Sequence, residues 1–555
     1  MTKRKENLTL ETYYSKFEFK KKNSNLKISF NRIAFIFFIF LFITIIFSSK
    51  ILYLSKYNLE PNKKIIIESD FRSSILDRNG KIIAKSVITT NVGIDPKQVI
   101  DKDKLLINLK LIFPNKNFSE IKKKLNNNNF FYVQKKISSK KYNQLYLLGD
   151  KSIIYEKKIS RIYPNKELFS HVVGQIDDNN NGISGVEKYF DFELKSKRSP
   201  LELTLDSNIQ HLIREELISF SRVFNYVGSS AILMNVNNGE VISMLSLPDF
   251  NLNERKNLNN LNYINRATKA VYELGSVFKT FTFAAGLNEN IIDIKTEFNN
   301  LEKQLTCGKN KIGEYDKDIP KDLTAEEILI MSGNVGSVRI AQKIGIEKYK
   351  SFLNDLGLLQ KIKFDLEEIG TPLEIKWGKC KLATSSFGHG ITTTPLQLSK
   401  AYAIISNGGY LIKPTILKNS NNNKNFKKIL RDGTSEKVNK VLRKIVSTKK
   451  GTAGFANVEG FNIGGKTGTA QKTINGKYSD KKVNTFISIF PTSKPKFVLM
   501  ILLDEPKANQ DYIYNYRDGS NFKYKGNFRN TAGWTTAEVA GKIIEKIGPI
   551  LATKY

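Results

Sequence analysis

A serine and a lysine stand three residues apart in the segment 272–280, which reads YELGSVFKT. On a helix this spacing places the two side chains on one face. A desolvated lysine loses its proton more easily and can then accept one from a serine hydroxyl. We therefore predict that Ser276 is a nucleophile and Lys279 its general base. In the first turn of a helix, Ser276 would also lie near free backbone N–H groups, which stabilise the negative charge of an acyl-transfer intermediate.

The Ser-x-x-Lys pair carries little information alone, because a lysine-rich chain produces it by chance. Other matches are Ser24/Lys27, Ser138/Lys141, Ser447/Lys450 and Ser520/Lys523. Ser276 differs because Ser332-Gly333-Asn334 and then Lys466-Thr467-Gly468-Thr469 follow it at sensible distances. The ordered set Ser-x-x-Lys, Ser-x-Asn and Lys-Thr-Gly resembles that of penicillin-binding proteins and class A β-lactamases.

Length and charge limit the classes of protein to consider. The chain has 555 residues, enough for two or three domains, and a formal net charge of +35. Such a charge raises the possibility of a nucleic-acid partner. The lysines are spread throughout the chain with Asn and Ile, and no nucleic-acid-binding signature accompanies them. We interpret the charge as a compositional bias and predict no nucleic-acid partner.

Histidine and cysteine are too scarce to favour a metal site or a histidine-dependent hydrolase. The chain contains His171, His211 and His389, and the two cysteines Cys307 and Cys380. We predict no metal and no cofactor, and interpret each histidine as an ordinary buried or surface residue. The two cysteines could pair in an extracytoplasmic domain, although the sequence does not show whether they lie close enough.

A basic segment and an apolar segment open the chain. Residues 1–32 carry nine Lys or Arg against three Glu, and residues 33–47 form an apolar run broken only by Thr44. With the residues up to 53, this run reaches the roughly 20 residues that span a bilayer. The positive-inside rule keeps residues 1–32 in the cytoplasm. We predict a single-pass inner-membrane protein with a transmembrane helix at 33–53 and the rest of the chain in the periplasm.

The competing interpretation of the apolar run is a cleaved signal peptide. Its 15 residues lie at the upper end of the length of such hydrophobic segments. No cleavage site of the small-x-small type follows, since the next residues are SSKILY. We therefore favour an uncleaved anchor.

Two regions follow the anchor, and together they predict an α+β fold. Residues 54–200 read as a pedestal of short strands and polar loops, with an Asn-Gly turn at 78–81. In residues 201–555, apolar runs at 230–236 and 240–246 flank Asn237-Asn238-Gly239, a strong hairpin signal. A second pair of runs lies at 486–490 and 497–503. With helices predicted between the pairs, this order favours an antiparallel sheet covered by helices.

Three helices are predicted in the second region. One begins at Ser276, and another covers 324 to about 332. A last helix covers 536–547, where Gly548-Pro549 is expected to end it.

Over nearly its whole length the chain resembles the class B penicillin-binding proteins. The resemblance runs from residues 72–80 through the three motifs to Ala470. Residues 272–279, 386–390 and 531–534 are most similar to the septal, division-specific branch. The resemblance implies a peptidoglycan D,D-transpeptidase with a pedestal (dimerisation-like) domain and a penicillin-binding domain. Its elongation-specific relatives share the same chemistry.

The resemblance also implies roles for the motif residues. Ser276 would attack the carbonyl between two terminal D-alanines of a stem peptide and hold the acyl group until an acceptor amine displaces it. Lys279 would be the base, its amine kept neutral by burial and by Lys466. Ser332 would relay the proton to the leaving amine, and Asn334 would hold Lys279 and the substrate amide.

The third motif is expected to bind the substrate. Lys466, Thr467 and Thr469 would line a strand that recognises the terminal carboxylate. The backbone N–H groups of Ser276 and Thr469 would form the oxyanion hole. Gly468 is expected to leave room for a substrate laid along the strand.

Two departures from related patterns concern the pocket. Leu274 stands where many relatives have Pro, which removes no reacting group. No Glu-x-x-Leu-Asn segment is present, so the deacylating glutamate of class A β-lactamases is missing. This favours a β-lactam target that stays acylated.

Several alternatives remain open. The same chemistry fits an elongation-specific transpeptidase or a D,D-carboxypeptidase. A non-catalytic divisome scaffold would keep the fold without turnover. The partners that the resemblance implies are peptidoglycan stem peptides, β-lactams, the membrane, a glycosyltransferase and other division proteins.

Overall fold

The computed structural model describes residues 30–57, 71–254, 263–308, 310–418, 427–474, 476–520, 522–526 and 529–555. The chain divides into two compact units, Met1–Ile67 and Glu68–Tyr555. The predicted basic tail lies outside the described residues as far as residue 29.

The first unit contains one described helix, Phe30–Tyr57. Its segment Arg32–Tyr53 has a mean hydropathy of 2.5, and none of its residues is buried within the protein. Length and composition therefore fit the membrane-spanning segment predicted at 33–53.

The amino-terminal part of the second unit is built on a five-stranded sheet. The strand Ile82–Ile94 pairs with three others, and all three pairings are antiparallel. The predicted Asn-Gly turn joins the first two strands, and its Gly80 has a φ of +78°. In chain order the strands are Ile75–Leu76, Ile82–Ile94, Phe131–Ile137, Ile153–Ile162 and Leu201–Glu202.

Six helices accompany this sheet: Lys102–Ile112, Phe118–Asn126, Ser139–Tyr146, Ser170–Val173, Gly185–Tyr189 and Asp191–Ser196. A small separate core lies among the first three helices and the strand ends, and includes Val92, Leu109 and Leu145. Ile83 and Phe169 belong instead to the large core of the following region. The pedestal is thus continuous with that region at one end and has its own core at the other.

A second five-stranded sheet forms the centre of the following region. All its pairings are antiparallel. Its spatial order is Gly464–Ile474, Lys477–Phe490, Phe497–Asp504, Gly228–Asn235 and Val241–Leu247. Both predicted hairpins are present, and strands from the two ends of the region join between Phe497–Asp504 and Gly228–Asn235. The α+β fold with an antiparallel sheet is confirmed.

Helices cover this sheet. Every residue of the strand Phe497–Asp504 is buried, which requires cover on both faces. The helices Pro395–Ser406 and Thr536–Lys554 pack against it. The helices of this region are Ser207–Phe224, Lys279–Asn288, Ala325–Ile330, Asn334–Ile344, Ile346–Asp355, Lys379–Ser385, Pro395–Ser406, Thr434–Ser447 and Thr536–Lys554.

Short elements complete the fold. Two-stranded pairs join Glu297–Phe298 to Leu323–Thr324, Gln304–Cys307 to Asn310–Gly313, and Ile513–Asn515 to Lys523–Lys525. Single 3₁₀ turns occupy Pro96–Gln98, Gly275–Phe278 and Gly454–Ala456. Cys307 and Cys380 form a disulfide with Cα atoms 5.4 Å apart, which ties the second strand pair to the helix Lys379–Ser385.

The end of the last helix was predicted wrongly. Gly548-Pro549 does not stop it, and the helix continues to Lys554. Proline removes one backbone hydrogen bond, but tertiary contacts hold the last turns. Leu551 is buried, the Tyr555 ring packs on Phe497, and the Lys554 ammonium pairs with Asp206 at 2.5 Å.

Candidate active site

The serine lies at a sharp junction between two kinds of helix. Ser276 is in the 3₁₀ turn Gly275–Phe278, and Lys279 is the first residue of the α-helix that follows. That helix is buried from Lys279 to Leu287. The Tyr402 hydroxyl donates a hydrogen bond to the Val277 carbonyl at 2.8 Å, which fixes the turn. The half-buried serine therefore stands on a rigid support.

Two glycines let the strand of the third motif pack against the 3₁₀ turn Gly275–Phe278, here called the serine turn. Gly275 has a φ of +61°, and a Cβ there would lie 2.6 Å from the Thr469 carbonyl oxygen. A Cβ on Gly468 would lie 2.2 Å from the Leu274 carbonyl oxygen. Side chains at either position would push the strand Gly464–Ile474 away from Ser276. The structure thus gives Gly468 a reason other than the expected clearance for substrate: its backbone packs directly against the serine turn.

Ser332 connects the first and third motifs. Its hydroxyl accepts hydrogen bonds from Lys279 Nζ at 3.2 Å and from Lys466 Nζ at 2.8 Å, and its carbonyl accepts another from Lys279. The residue has a φ of +61°, a conformation that is costly for a side chain other than glycine. This backbone conformation lets carbonyl and hydroxyl face the same amine.

Burial controls the protonation of both lysines. It lowers the pKa of Lys279 to about 7, and the Glu314 carboxylate opposes this change. Burial, and then the charge of Lys279, lower the pKa of Lys466 well below its usual range. Because burial is the dominant cause of the lowered pKa of Lys279, the expected help from Lys466 is secondary. An amine that is half deprotonated near pH 7 can serve as a base.

Asn334 has a different partner from the one expected. It begins the helix Asn334–Ile344, and its side-chain amide donates to the Gly313 carbonyl at 2.7 Å. Glu314 accepts hydrogen bonds from the backbone N–H groups of Asn334 at 2.6 Å and Val335 at 2.8 Å. The second motif is therefore held by residues 313–314, while Ser332 holds Lys279.

The strand Gly464–Ile474 presents two hydroxyls near the serine. Thr467 Oγ1 lies 2.7 Å from Thr452 Oγ1, and Thr469 Oγ1 accepts a hydrogen bond from Ala532 N at 3.0 Å. Lys466 points from the same strand to Ser332 and is fully buried.

The three motifs meet at one cavity of about 1150 Å³. Its lining includes six of the eight predicted site residues, Ser276, Lys279, Ser332, Asn334, Thr467 and Thr469. Lys466 lies behind Ser332, and Gly468 lies behind the serine turn. The structure thus brings the eight predicted residues together, although they span residues 276–469 of the sequence.

Sequence reasoning missed several residues of this cavity. Glu314 and Thr452 contact predicted site residues directly, and His389 lines the cavity with a pKa that burial and Lys279 lower. A lone Glu or Thr in a loop has no spacing that distinguishes it. From the sequence alone, His389 is interpreted as an ordinary buried or surface residue and is otherwise noted only within residues 386–390.

Comparison with known proteins identifies the family. The Penicillin binding protein transpeptidase domain matches residues 229–520, and the Penicillin-binding Protein dimerisation domain matches residues 69–217. The chain is a class B penicillin-binding protein. The transpeptidase match covers more than half of this penicillin-binding protein and contains all three motifs.

Similar proteins agree with this assignment. The chain is 31% identical over 530 residues to the "Peptidoglycan D,D-transpeptidase FtsI" of Buchnera aphidicola, covering 85% of this chain and 88% of that protein. It is 29% identical over 497 residues to the "Probable peptidoglycan D,D-transpeptidase FtsI" of Caulobacter vibrioides, covering 87% and 82%. The "Stage V sporulation protein D" of Bacillus subtilis is also 29% identical, over 79% of this chain and 74% of that protein.

Proposed function

We propose that this protein is a membrane-anchored peptidoglycan D,D-transpeptidase that crosslinks stem peptides at the division septum. The observation that carries the proposal is the arrangement around Ser332. Its hydroxyl accepts hydrogen bonds from the buried amines of Lys279 and Lys466, beside the cavity that Ser276 lines. Such a site suits proton transfer without histidine. The FtsI-type relatives favour the division role over the elongation role.

The reaction begins with acylation. The Lys279 amine takes the Ser276 proton as the serine oxygen attacks the carbonyl between two terminal D-alanines. The negative charge that develops on the carbonyl oxygen is stabilised by the backbone N–H groups of Ser276 and Thr469, whose segments are in contact. Ser332 relays the proton to the departing D-alanine amine, and the remaining peptide stays on Ser276 as an ester.

Deacylation reverses the proton path. An amine of a neighbouring stem peptide attacks the ester, gives its proton through Ser332 and Lys279, and restores the Ser276 hydroxyl. Thr467 and Thr469 hold the substrate through their hydroxyls, Lys466 fixes Ser332, and Asn334 binds the substrate amide. β-Lactams acylate the same serine and remain bound, because the sequence lacks the Glu-x-x-Leu-Asn segment that carries the deacylating glutamate of class A β-lactamases.

The periplasm is the proposed location of the second unit. The excess of Lys and Arg in residues 1–32 favours a cytoplasmic amino terminus. The Cys307–Cys380 disulfide supports an oxidising compartment for the catalytic region. The anchor and the residue 54–200 pedestal are the proposed contact regions for a glycosyltransferase and other division proteins.

Labelling with a fluorescent penicillin tests the enzymatic proposal. We expect the wild type to be labelled and Ser276→Ala to remain unlabelled. Ser138→Ala is the matched control, because Ser138 also belongs to a Ser-x-x-Lys sequence but lies in the pedestal, and it should label normally. Equally poor labelling of wild type and Ser276→Ala would indicate a scaffold instead of an enzyme.

Depletion of the protein tests its role in the cell. Loss of a septal transpeptidase is expected to give filaments, because septum synthesis stops while elongation continues. Round cells would instead indicate the elongation-specific role.

A further inference from the structure

A cation lies near Thr469, one of the two proposed substrate-binding threonines. Lys482, on the strand Lys477–Phe490, is the cross-strand partner of Gln471. Because side chains alternate along a strand, Gln471 shares a face with Thr469 and Thr467, and Lys482 belongs to the same face of the sheet. All four residues line the cavity that contains Ser276. The sheet register therefore places Lys482 on the wall that carries the threonine hydroxyls.

The side chain of Lys482 is long enough to approach Thr469. Thr469 pairs directly with Asn484, so Lys482 is its diagonal neighbour. Diagonal neighbours in antiparallel sheets lie about 7–8 Å apart, which long side chains can span. The Lys482 ammonium donates to the Asn530 carbonyl at 3.2 Å, and Ala532 N of the same segment donates to Thr469 Oγ1. The segment 530–532 thus contacts the side chains of both Lys482 and Thr469.

Lys482 differs from its lysine neighbours in its partners. Lys481 pairs with Glu505 at 3.0 Å, and Lys472 pairs with Asp504 and Glu505, each at 2.8 Å. Within the described part of the chain, Lys482 forms no ion pair, and its hydrogen bond goes to a neutral carbonyl. A half-buried cation without a counter-ion is ready to bind an anion.

The charge distribution across the cavity gives the anion a direction. Glu314 and Asp316 lie on the lining near the second motif, and the exposed Asp518 also lines the cavity, whereas Lys482 lies on the strand side with Thr467 and Thr469. Lys449 and Arg529 also line the cavity, but both are exposed. Lys482 is the cation that the sheet register fixes next to Thr469. An acidic group of a ligand would therefore be attracted to the strand side and away from Glu314.

We propose that Lys482 binds the terminal carboxylate of the donor stem peptide, and the equivalent carboxylate of a β-lactam, together with the hydroxyls of Thr467 and Thr469. This inference rests on the proposed transpeptidase function. Lys482 is a positioning residue: it takes no part in proton transfer but orients the donor so that its scissile carbonyl faces Ser276.

A pair of probes that differ only in this carboxylate tests the inference. The second-order rate constant for acylation of the full-length protein in detergent is measured with benzylpenicillin and with its methyl ester. Lys482→Met is expected to lower the rate with benzylpenicillin about tenfold or more, the loss of one charge-assisted hydrogen bond, and to leave the rate with the ester within about twofold. Lys482→Arg should restore most of the preference for the carboxylate.

Lys481→Met is the matched control. It removes a neighbouring positive charge that is already paired with Glu505, so it should change neither rate by more than about twofold. Equal losses with both probes in Lys482→Met, or the same loss in Lys481→Met, would overturn the role of Lys482. Failure of benzylpenicillin to acylate Ser276 in the wild type would instead overturn the proposed function.

Discussion

The low pKa of Lys279 makes a quantitative prediction about the pH dependence of acylation. An ordinary lysine with a pKa of 10.5 has only about one amine in 3000 neutral at pH 7, whereas a pKa of about 7 leaves about half of them neutral. Burial of Lys279 thus raises the concentration of the reactive base on the order of a thousandfold. The acylation rate should rise with pH, reach half its maximum near pH 7, and then level off.

Glu314 provides a way to move this inflection. Its carboxylate favours the protonated form of Lys279. Glu314→Gln removes the charge, so the pKa of Lys279 should fall and the inflection should move to lower pH, by up to about one pH unit. The variant also replaces one of the two Glu314 oxygens that accept hydrogen bonds from the backbone N–H groups of Asn334 and Val335. This loss is expected to lower the free energy of unfolding by about 1 kcal/mol.

The assay measures the rate constant of acylation by a fluorescent penicillin from about pH 5 to about pH 10. Asp318→Asn is the matched control, because it removes an exposed negative charge from the same loop. It should leave the inflection where it is. An inflection near pH 10 in the wild type, or one that moves upward in Glu314→Gln, would refute the assignment of Lys279 as a buried neutral base.

Three further changes test the packing of the site. Gly468→Ala places a Cβ 2.2 Å from the Leu274 carbonyl oxygen and should lower the acylation rate about a hundredfold, since the serine turn must move; an unchanged rate would contradict this contact. Replacing Cys307 and Cys380 by Ser should lower the free energy of unfolding by about 4 kcal/mol, because the bond joins residues 73 positions apart, and an unchanged melting temperature would contradict it. Lys279→Met should stabilise the fold at pH 7 by about 2 kcal/mol, since the roughly 4 kcal/mol cost of deprotonation exceeds the hydrogen bonds lost.

The size of the Lys279→Met effect depends on pH. The folded-state pKa of Lys279 lies below its unfolded value of 10.5, so the unfolded chain binds more protons between about pH 7 and that value. The stability of the wild type therefore rises with pH in this window, and the advantage of the variant should shrink as the pH approaches 10.5. Thermal unfolding measured at several pH values checks this, and an advantage that grows with pH would contradict it.

The sequence predicted which residues meet at the cavity because the order of the three motifs is specific. Ser276, Ser332 and Lys466 are far apart in the chain, and no local rule predicts that they meet. The resemblance to a family predicted that they lie in one site. The hairpin around Asn237-Asn238-Gly239 was predictable from turn chemistry alone. These features depend on residue type and short spacing, which a single sequence displays.

Other features depend on tertiary contacts and could not be predicted. The helix that passes through Pro549 is held by burial of Leu551 and by the contacts of Tyr555. Glu314 lies in a loop that only the fold brings near Lys279, so its effect on the pKa of that lysine could not be predicted. The sequence suggested that Gly468 leaves room for substrate. The structure adds another reason for glycine there, because a Cβ would collide with the Leu274 carbonyl oxygen.

The central claim is that Ser276 carries the acyl group of a stem peptide. Mass spectrometry of the full-length protein, quenched after mixing with a donor peptide ending in D-Ala-D-Ala, tests it most directly. We expect an added mass equal to the donor minus one D-alanine, located on the proteolytic peptide that contains Ser276 and absent from Ser276→Ala. An adduct on another residue, or D-alanine release without Ser276, would contradict it.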